Sequence, residues 1–235
     1  MDNEKLVLII FGLIYLPIFV YEFFVYIKNI ESTYFNLKAF IKINIALLLF
    51  GTFIIIILSH INFLDYEKPI PYKNIKNITF KNFRGLELFK KELYGTKYFA
   101  YVVTSIESET KDDSVIIEAF FHPSQSFVYD KKSNSNHLFS HEIYHFKISE
   151  VFTRKIKKKI AELDKYKFDE ITSDEINKII SDFKKEEQKF QEKYDDDTFH
   201  SYVFNKQKKY ERQIDSLLYL YDKFENRKIL INEKK

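Results

Sequence analysis

His141-Glu142-Ile143-Tyr144-His145 is the stretch from which the fold of this chain can be worked out. On a helix, residues four positions apart lie about 40° from each other around the axis, so the two imidazoles project from one face. Two imidazoles placed in this way can bind one tetrahedral zinc ion. Glu142 lies on the flank of that face, where its carboxylate can take a proton from a water on the metal.

The residues around this stretch predict a helix whose metal-binding face points inward. Possible N-caps occur at residues 133–136, which read Ser-Asn-Ser-Asn. One stripe then recurs at steps of three or four, comprising Leu138, His141, His145, Ile148, Phe152, Ile156, Ile160 and Leu163. A single buried histidine is usually a hydrogen-bonded core residue. Two histidines in an apolar stripe, with a glutamate between them, favour a metal site.

Composition limits which residues can complete such a site. The chain has 235 residues and no cysteine, so disulfides and thiolate ligands are excluded and His, Asp and Glu remain. The formal net charge is only +3, which gives no indication of a nucleic-acid partner.

Two apolar stretches near the N-terminus predict a transmembrane hairpin. Residues 6–27 and 43–64 are each long enough to span a bilayer. A cleaved signal peptide is the alternative for the first stretch, but no small-x-small cleavage site follows it. Glu22 is expected at the membrane interface. We therefore predict two domains, with two membrane spans in residues 1–66 and a zinc-binding domain in residues 67–235.

The distribution of lysines predicts the orientation of this hairpin. Lys28, Lys38 and Lys42 lie between the spans, which places that loop in the cytoplasm by the positive-inside rule. The basic residues after Leu64 argue for the opposite orientation, but they begin a folded domain, and long domains are translocated largely regardless of charge. We expect an inner-membrane protein whose zinc domain is extracytoplasmic.

The soluble part alternates between strand and helix patterns. Strands are predicted over residues 75–83, 98–106 and 114–121, with a polar turn at 107–113 and a further edge segment at 126–129 that could pair with a peptide. Helices are predicted over about 174–193 and 203–224. Strands followed by helices predict an α+β domain.

A catalytic zinc needs a third protein ligand and one open position. His137 lies one turn before His141, but three ligands on consecutive turns of one straight helix cannot surround an ion. His122 follows a predicted strand and is a candidate on the substrate side. His200 follows an acidic run at residues 195–197, for which a solvated helix end is the simpler interpretation. The residues alone leave the third ligand open.

Two motifs together resemble a known family. The helix segment from Leu138 to Lys155 and the downstream pattern Tyr194-Asp195-x-x-Thr198-x-His200 are similar to a bacterial zincin-like family of predicted secreted zinc-dependent proteases. The resemblance extends over roughly residues 75–220 and includes the element from Phe80 to Gly85. The chain departs from the family pattern at Lys147, where the family has Asp, and at Ser201, where it has Gly.

The resemblance implies a zincin-like fold, a zinc cofactor and a peptide or protein substrate. It implies His200 as the third ligand beside His141 and His145, with Glu142 as the general base. Asp195 is the best candidate to orient a ligand imidazole, and Tyr194 is a candidate to stabilise an oxyanion. A non-catalytic envelope protein with a structural zinc site, or a sensor that signals through the hairpin, is the alternative.

Overall fold

The computed structural model describes residues 3–28, 37–60, 64–65, 67–85, 100–111, 114–129, 135–166, 172–226 and 228–230. Within them the chain combines helices with short antiparallel strands. The helices are α1 (Asn3–Ile27), α2 (Leu37–His60), α3 (Asn136–Tyr166), α4 (Ser173–Thr198) and α5 (Phe204–Leu220). The strands are β1 (Ile70–Pro71), β2 (Ala100–Tyr101), β3 (Thr104–Lys111), β4 (Ser114–Phe121), β5 (Phe127–Val128) and β6 (Lys228–Leu230).

Helices α1 and α2 are long and apolar enough to cross a membrane. Their candidate spans, Val7–Ile27 and Lys38–Leu58, have mean hydropathies of 2.3 and 2.5, and only 6% of the most apolar part of each is buried. A core helix of a soluble protein would be mostly buried. The second span begins earlier than the predicted residue 43, because the apolar Phe40 and Ile41 extend it past Lys42, whose long side chain can reach out of an apolar layer.

The two apolar helices are joined by a polar contact. Glu22 is only 5% exposed and accepts a hydrogen bond of 2.7 Å from Asn44 Nδ2. The hydroxyl of Tyr15 donates to Asn44 Oδ1 at 2.9 Å. Glu22, expected at the membrane interface, thus lies between the helices, where a hydrogen bond stabilises its carboxyl group and favours their association.

Strand β4 is the centre of the main sheet. It pairs with β3 from Thr104↔Phe121 to Lys111↔Ser114, and its other edge pairs with β1 and β6. Every second residue of β4 is buried against the helices, namely Val115, Ile117, Ala119 and Phe121. This confirms the strand predicted over 114–121.

Two other strand predictions need correction. The segment 98–106 does not form one ladder: Ala100–Tyr101 pairs with Phe127–Val128, and the chain joins β4 only from Thr104. Residues 98 and 99 lie outside the described part. The predicted turn at 107–113 is also wrong, since β3 continues to Lys111; its polar residues 107–109 are exposed on a strand at the edge of the sheet. Residues 112 and 113 are not described.

Residues 75–83 form 3₁₀ turns rather than the predicted strand. Tyr72–Asn77 is a 3₁₀ helix that begins after Pro71, and Phe80–Asn82 is a second one. Thr79 caps the second turn: its side chain accepts from the amide of Lys81, and Asn82 Oδ1 accepts from the amide of Thr79 at 2.9 Å. Local bonds between side chains and backbone therefore replace sheet pairing here.

Helix α3 is the central element of the soluble part. It contacts the sheet on one side and α4 and α5 on the other. Two clusters of buried apolar side chains meet on it, one containing Ile148 and Ile156 and the other containing Phe146. Because it is surrounded, α3 also buries charged residues, and these need partners.

The buried charges of α3 hold the end of α5. Arg154 is 4% exposed; its Nε donates to Glu150 at 2.8 Å and its Nη1 to the carbonyl of Leu218 at 3.0 Å. A guanidinium at a helix C-terminus satisfies carbonyls that lack intrahelical partners and is favoured by the helix dipole. Lys157 lies one turn further along and donates to the carbonyl of Glu225 at 3.4 Å.

We predict that Arg154→Met destabilises the soluble domain by about 3–5 kcal/mol, because it leaves the buried carboxylate of Glu150 without its partner. Chemical denaturation of the detergent-solubilised chain measures this loss. Lys185→Met is the matched control. Its ion pair with Asp182 is exposed, so a change below about 0.5 kcal/mol is expected. A similar small change for Arg154→Met would show that the buried pair contributes nothing.

Candidate metal centre

The site lies where α3 packs against α4. Helix α4 begins at a capping box formed by Thr172 and Glu175, as the sequence predicted, but it extends five residues beyond the expected end, to Thr198. The two helices run antiparallel, as shown by three successive contacts one turn apart: His141 with Asp195, His145 with Gln191, and Ser149 with Glu187. The metal motif of α3 therefore faces the second motif of the sequence.

Asp195 is the residue on which the two motif histidines converge. His141 Nε2 lies 3.0 Å and His145 Nε2 lies 2.9 Å from the same carboxylate oxygen, Asp195 Oδ1. The two Nε2 atoms are 3.3 Å apart. His141 is 1% exposed, and the side chain of Asp195 is 29% exposed. Asp195 therefore contacts both imidazoles directly, on the side where they would bind a metal.

His200 reaches the same carboxylate from the loop after α4. Its Nδ1 lies 3.5 Å from Asp195 Oδ1, and its side chain is 68% exposed. His141, Asp195 and His200 each offer one ligand atom, and these atoms lie within 4.8 Å of one another. The structure thus brings together the three predicted histidine ligands around Asp195.

The loop that carries His200 has an unusual backbone. Phe199, His200 and Ser201 have φ values of 49°, 48° and 78°, all in the left-handed region. Residues with a side chain adopt it at a cost of about 1–2 kcal/mol each. Ser201 has the largest φ, in a region that Gly adopts freely. His137 Nε2 lies 2.6 Å from the carbonyl of Ser201, so this histidine supports the loop.

The protonation of the site follows from its geometry. Burial alone would lower the pKa of His145, but its hydrogen bond to Asp195 and the charges of Asp195 and Glu142 raise it to about 9. Burial lowers the pKa of His141 to about 4, against its hydrogen bond to Asp195. Burial would raise the pKa of Asp195, but hydrogen bonds from both imidazoles hold it well below its usual range. In the metal-free site, a proton on His145 thus compensates the negative charge of the Asp195 carboxylate, as a bound metal cation would.

Gln191 is a site residue that the sequence did not reveal. Its Oε1 lies 2.5 Å from His145 Nδ1, and its Nε2 donates to the carbonyl of His145 at 3.0 Å and to Glu187 at 2.9 Å. The amide oxygen therefore keeps the proton of His145 on Nδ1 and directs Nε2 towards Asp195. Such a partner of a metal ligand fixes its tautomer and orientation. The position of Gln191 one turn before Asp195 is the only sequence signal for it.

Tyr194 is fully buried, and its ring stacks on His141 with centroids 4.7 Å apart and an angle of 17°. It therefore supports the imidazole by packing. His122 is 8% exposed and binds Asp65 and Ser105 rather than the metal cluster. Of the three candidates outside the ligand set, only Asp195 contacts the imidazole nitrogens, whereas the hydroxyl of Tyr194 donates to the backbone carbonyl of His141 at 3.5 Å.

Glu142 lies beside the cluster without belonging to it. Its side chain is buried, with 3% exposed. Burial raises its pKa to about 7, against the lowering effects of His145 and of the nearby backbone of Val102. The residue opens onto a cleft of about 1140 Å³ between the extended segment 100–106 and helix α4, which His141, His145, Asp195 and His200 also line.

The donor geometry fits a tetrahedral metal ion. Two nitrogens that bind one zinc at 2.0–2.1 Å with a tetrahedral angle are separated by about 3.3 Å. The Nε2 atoms of His141 and His145 have this separation, and Asp195 Oδ1 is at a similar distance from both. Nitrogen and carboxylate donors without thiolates are typical of catalytic zinc sites.

No protein-family model matches the chain, and searches of the curated proteins and of the solved structures found no match. The resemblance to the zincin-like family therefore depends on the two sequence motifs alone.

We predict that the purified chain binds one zinc ion and that the ligand variants rank by their place in the cluster. Asp195→Ala should weaken binding by more than about a hundredfold, beyond the usual effect of an outer-shell partner. His200→Ala, at the exposed side, should weaken it by about tenfold. His137→Ala is the matched histidine control and should change affinity by less than about threefold, since it only supports the loop. Competition titration against a chelating dye measures all three.

Equal affinities for His200→Ala and His137→Ala would remove His200 from the ligand set. An unchanged affinity for Asp195→Ala would show that the carboxylate only neutralises the metal-free site.

Proposed function

We propose that the protein is a membrane-anchored zinc metallopeptidase with a zincin-like domain. The observation that supports this most is the placement of Glu142. It is a buried carboxylate beside two metal-competent imidazoles, and it opens to a cleft. A purely structural zinc site would have no need of a buried carboxylate beside its histidines that opens to a cleft.

The roles of the residues follow from their positions. A zinc ion held by His141, His145 and the Asp195–His200 side would supply a Lewis acid and a water of lowered pKa. Glu142 takes the proton of the attacking water and passes it to the leaving amine. Burial raises its pKa to about 7 in the metal-free site, and the charge of a bound zinc ion would lower it. Gln191 keeps His145 oriented.

The cleft is suited to an extended peptide. Residues 100–106 form one of its walls, and β3 pairs only through its β4 edge within the described part of the chain. A peptide can add to such an edge through main-chain hydrogen bonds. This role was expected for 126–129, but Phe127 and Val128 are buried and pair with β2. The peptide-binding edge therefore belongs to the segment after β2.

A structural zinc site is the alternative, and the presence of a fourth donor favours it. If His141, His145, Asp195 and His200 all bound one ion, no position would remain open. His200 is the most exposed of the four and the furthest from the shared oxygen, so it is the donor whose loss opens the site.

We predict that Glu142→Gln reduces peptide hydrolysis by about 10²–10⁴-fold, because it keeps the shape of the side chain and removes the base. Zinc content and the melting temperature should be nearly unchanged, since Glu142 is not a ligand. Turnover of a peptide-library substrate, together with metal analysis of the same sample, checks both expectations.

Glu192→Gln is the matched control for this change. Glu192 lines the same cleft and is exposed, so the same substitution there should alter turnover by less than about threefold. Wild-type turnover by Glu142→Gln would reject the mechanism.

The location we propose is the bacterial inner membrane, with the metal centre on the extracytoplasmic side. Two helices that can span a membrane, with Lys28, Lys38 and Lys42 at their connected ends, support this orientation. Both ends of the hairpin then lie on the outer side, and the soluble part continues from the second span.

Because the chain has no cysteine, single cysteines can report its topology. We predict that a membrane-impermeant maleimide labels Lys185→Cys, on the exposed face of α4, in intact spheroplasts. It should label Lys28→Cys, at the end of α1, only after lysis. The reverse pattern would place the metal centre in the cytoplasm.

A further inference from the structure

A cluster outside the metal centre connects the membrane anchor with the cleft. Asp65 lies five residues after the end of α2 at His60. His122 lies directly after β4 and is 8% exposed. His122 Nδ1 is 2.5 Å from Asp65 Oδ2, and the hydroxyl of Ser124 donates to the other oxygen of the same carboxylate. The chain that leaves the second apolar helix is thereby fixed to the end of the central strand.

The other nitrogen of His122 contacts the wall of the cleft. His122 Nε2 lies 2.8 Å from the hydroxyl of Ser105, which donates in turn to Glu107 Oε1 at 3.2 Å. The contact of the Ser105 hydroxyl with Glu107 is thus longer than its contact with His122. Ser105 lines the cleft. Both nitrogens of the imidazole are therefore bonded, and the ring is fixed between anchor and cleft.

The turn at His122 also holds the backbone next to Val102. The amide of His122 donates to the carbonyl of Val103 at 2.9 Å, and the amide of Val103 donates to Ser126 Oγ at 3.0 Å. Ser126 Oγ donates back to the carbonyl of His122 at 2.8 Å. Both polar groups of Val103 are thus bonded to one turn. The preceding residue, Val102, lines the cleft together with Glu142.

We infer that Asp65 and His122 are positioning residues that hold residues 103–105 as the wall of the cleft onto which Glu142 opens. The series of contacts runs from Asp65, five residues after α2, through His122 to Val103 and Ser105 in that wall. Removing its first member loosens the segment 100–106 and leaves the metal donors on α3 and α4 in place. The hairpin is therefore part of the structure that orders the site, as well as an anchor.

Asp65, His122 and Ser105 are also arranged as aspartate, histidine and serine are in nucleophilic hydrolases. That use requires His122 Nε2 to accept the serine proton, for which Glu107 competes at a longer distance. A nucleophilic role of Ser105 is therefore the alternative outcome of the experiment below.

The experiment compares Asp65→Ala and Ser105→Ala with the matched control Glu67→Ala in the full-length chain in detergent. Glu67 lies in the same connection and pairs with Arg84 at 3.3 Å on the surface. Hydrogen–deuterium exchange of peptides covering residues 100–106 is the readout that does not depend on activity. We expect exchange in this segment to be about tenfold faster in Asp65→Ala, at unchanged zinc content and unchanged exchange in α4. Glu67→Ala should behave as the wild type.

The activity measurements rest on the proposed peptidase function. With a cleavable peptide, Asp65→Ala should raise KM by about tenfold, because the loosened segment 100–106 is the wall along which the peptide is proposed to bind. Ser105→Ala should raise KM less than Asp65→Ala does.

Unchanged exchange of residues 100–106 in Asp65→Ala would overturn the inference, whether or not the protein is a peptidase. If Asp65→Ala does not fold, the milder Asp65→Asn, which cannot accept the Ser124 hydrogen bond at its amide nitrogen, replaces it under the same criterion. Labelling of Ser105 by a fluorophosphonate, or loss of all activity in Ser105→Ala, would show instead that Ser105 is a nucleophile activated by His122 and Asp65. Absence of peptidase activity, with faster exchange, would reject the proposed function and leave the coupling established.

Discussion

The contact of one carboxylate oxygen with two buried imidazoles determines the arrangement of the soluble part. Helix α3 presents His141 and His145 on a face that is otherwise packed, and buried polar rings are costly without partners. Asp195 supplies the partner, and in doing so it sets the register of α4 against α3. This register also positions Gln191 and Tyr194, because they lie on the same helix within about one turn of Asp195. It positions the His200 loop as well, because that loop follows the end of the helix. The cleft is the space that this register leaves between α4 and the segment 100–106.

The part of the site that could be predicted from sequence is the part that depends on one helix. The spacing of His141, Glu142 and His145 fixes their relative directions before any tertiary contact forms. The direct contact of Asp195 could not be predicted in this way, because it depends on which turn of α4 meets which turn of α3. The sequence indicates an outer partner of the ligands at Asp195. The structure brings its carboxylate into contact with the Nε2 atoms themselves.

The same distinction explains the outcome for the fold. Strand β4 was predictable because alternating apolar residues bury one of its faces whatever the partner strand is. The segment 75–83 shows a similar alternation, yet capping by Thr79 and Asn82 makes turns there, and such local competition is hard to weigh from sequence. The short β6 pairs with β4 from more than a hundred residues away, and nothing within the segment Lys228–Leu230 itself indicates that partner. The burial of Glu22 against Asn44 likewise depends on how two helices meet.

The three left-handed residues that end α4 have a consequence for how this chain can change. They turn the backbone so that His200 comes back towards Asp195, and the strain is carried by residues that do not favour that conformation. Glycine at position 201 would relieve much of it and would be an easy gain in folding stability. It would also give the loop freedom to let the imidazole leave the cluster. Selection for a more stable protein and selection for a well-placed His200 therefore act in opposite directions at this single position.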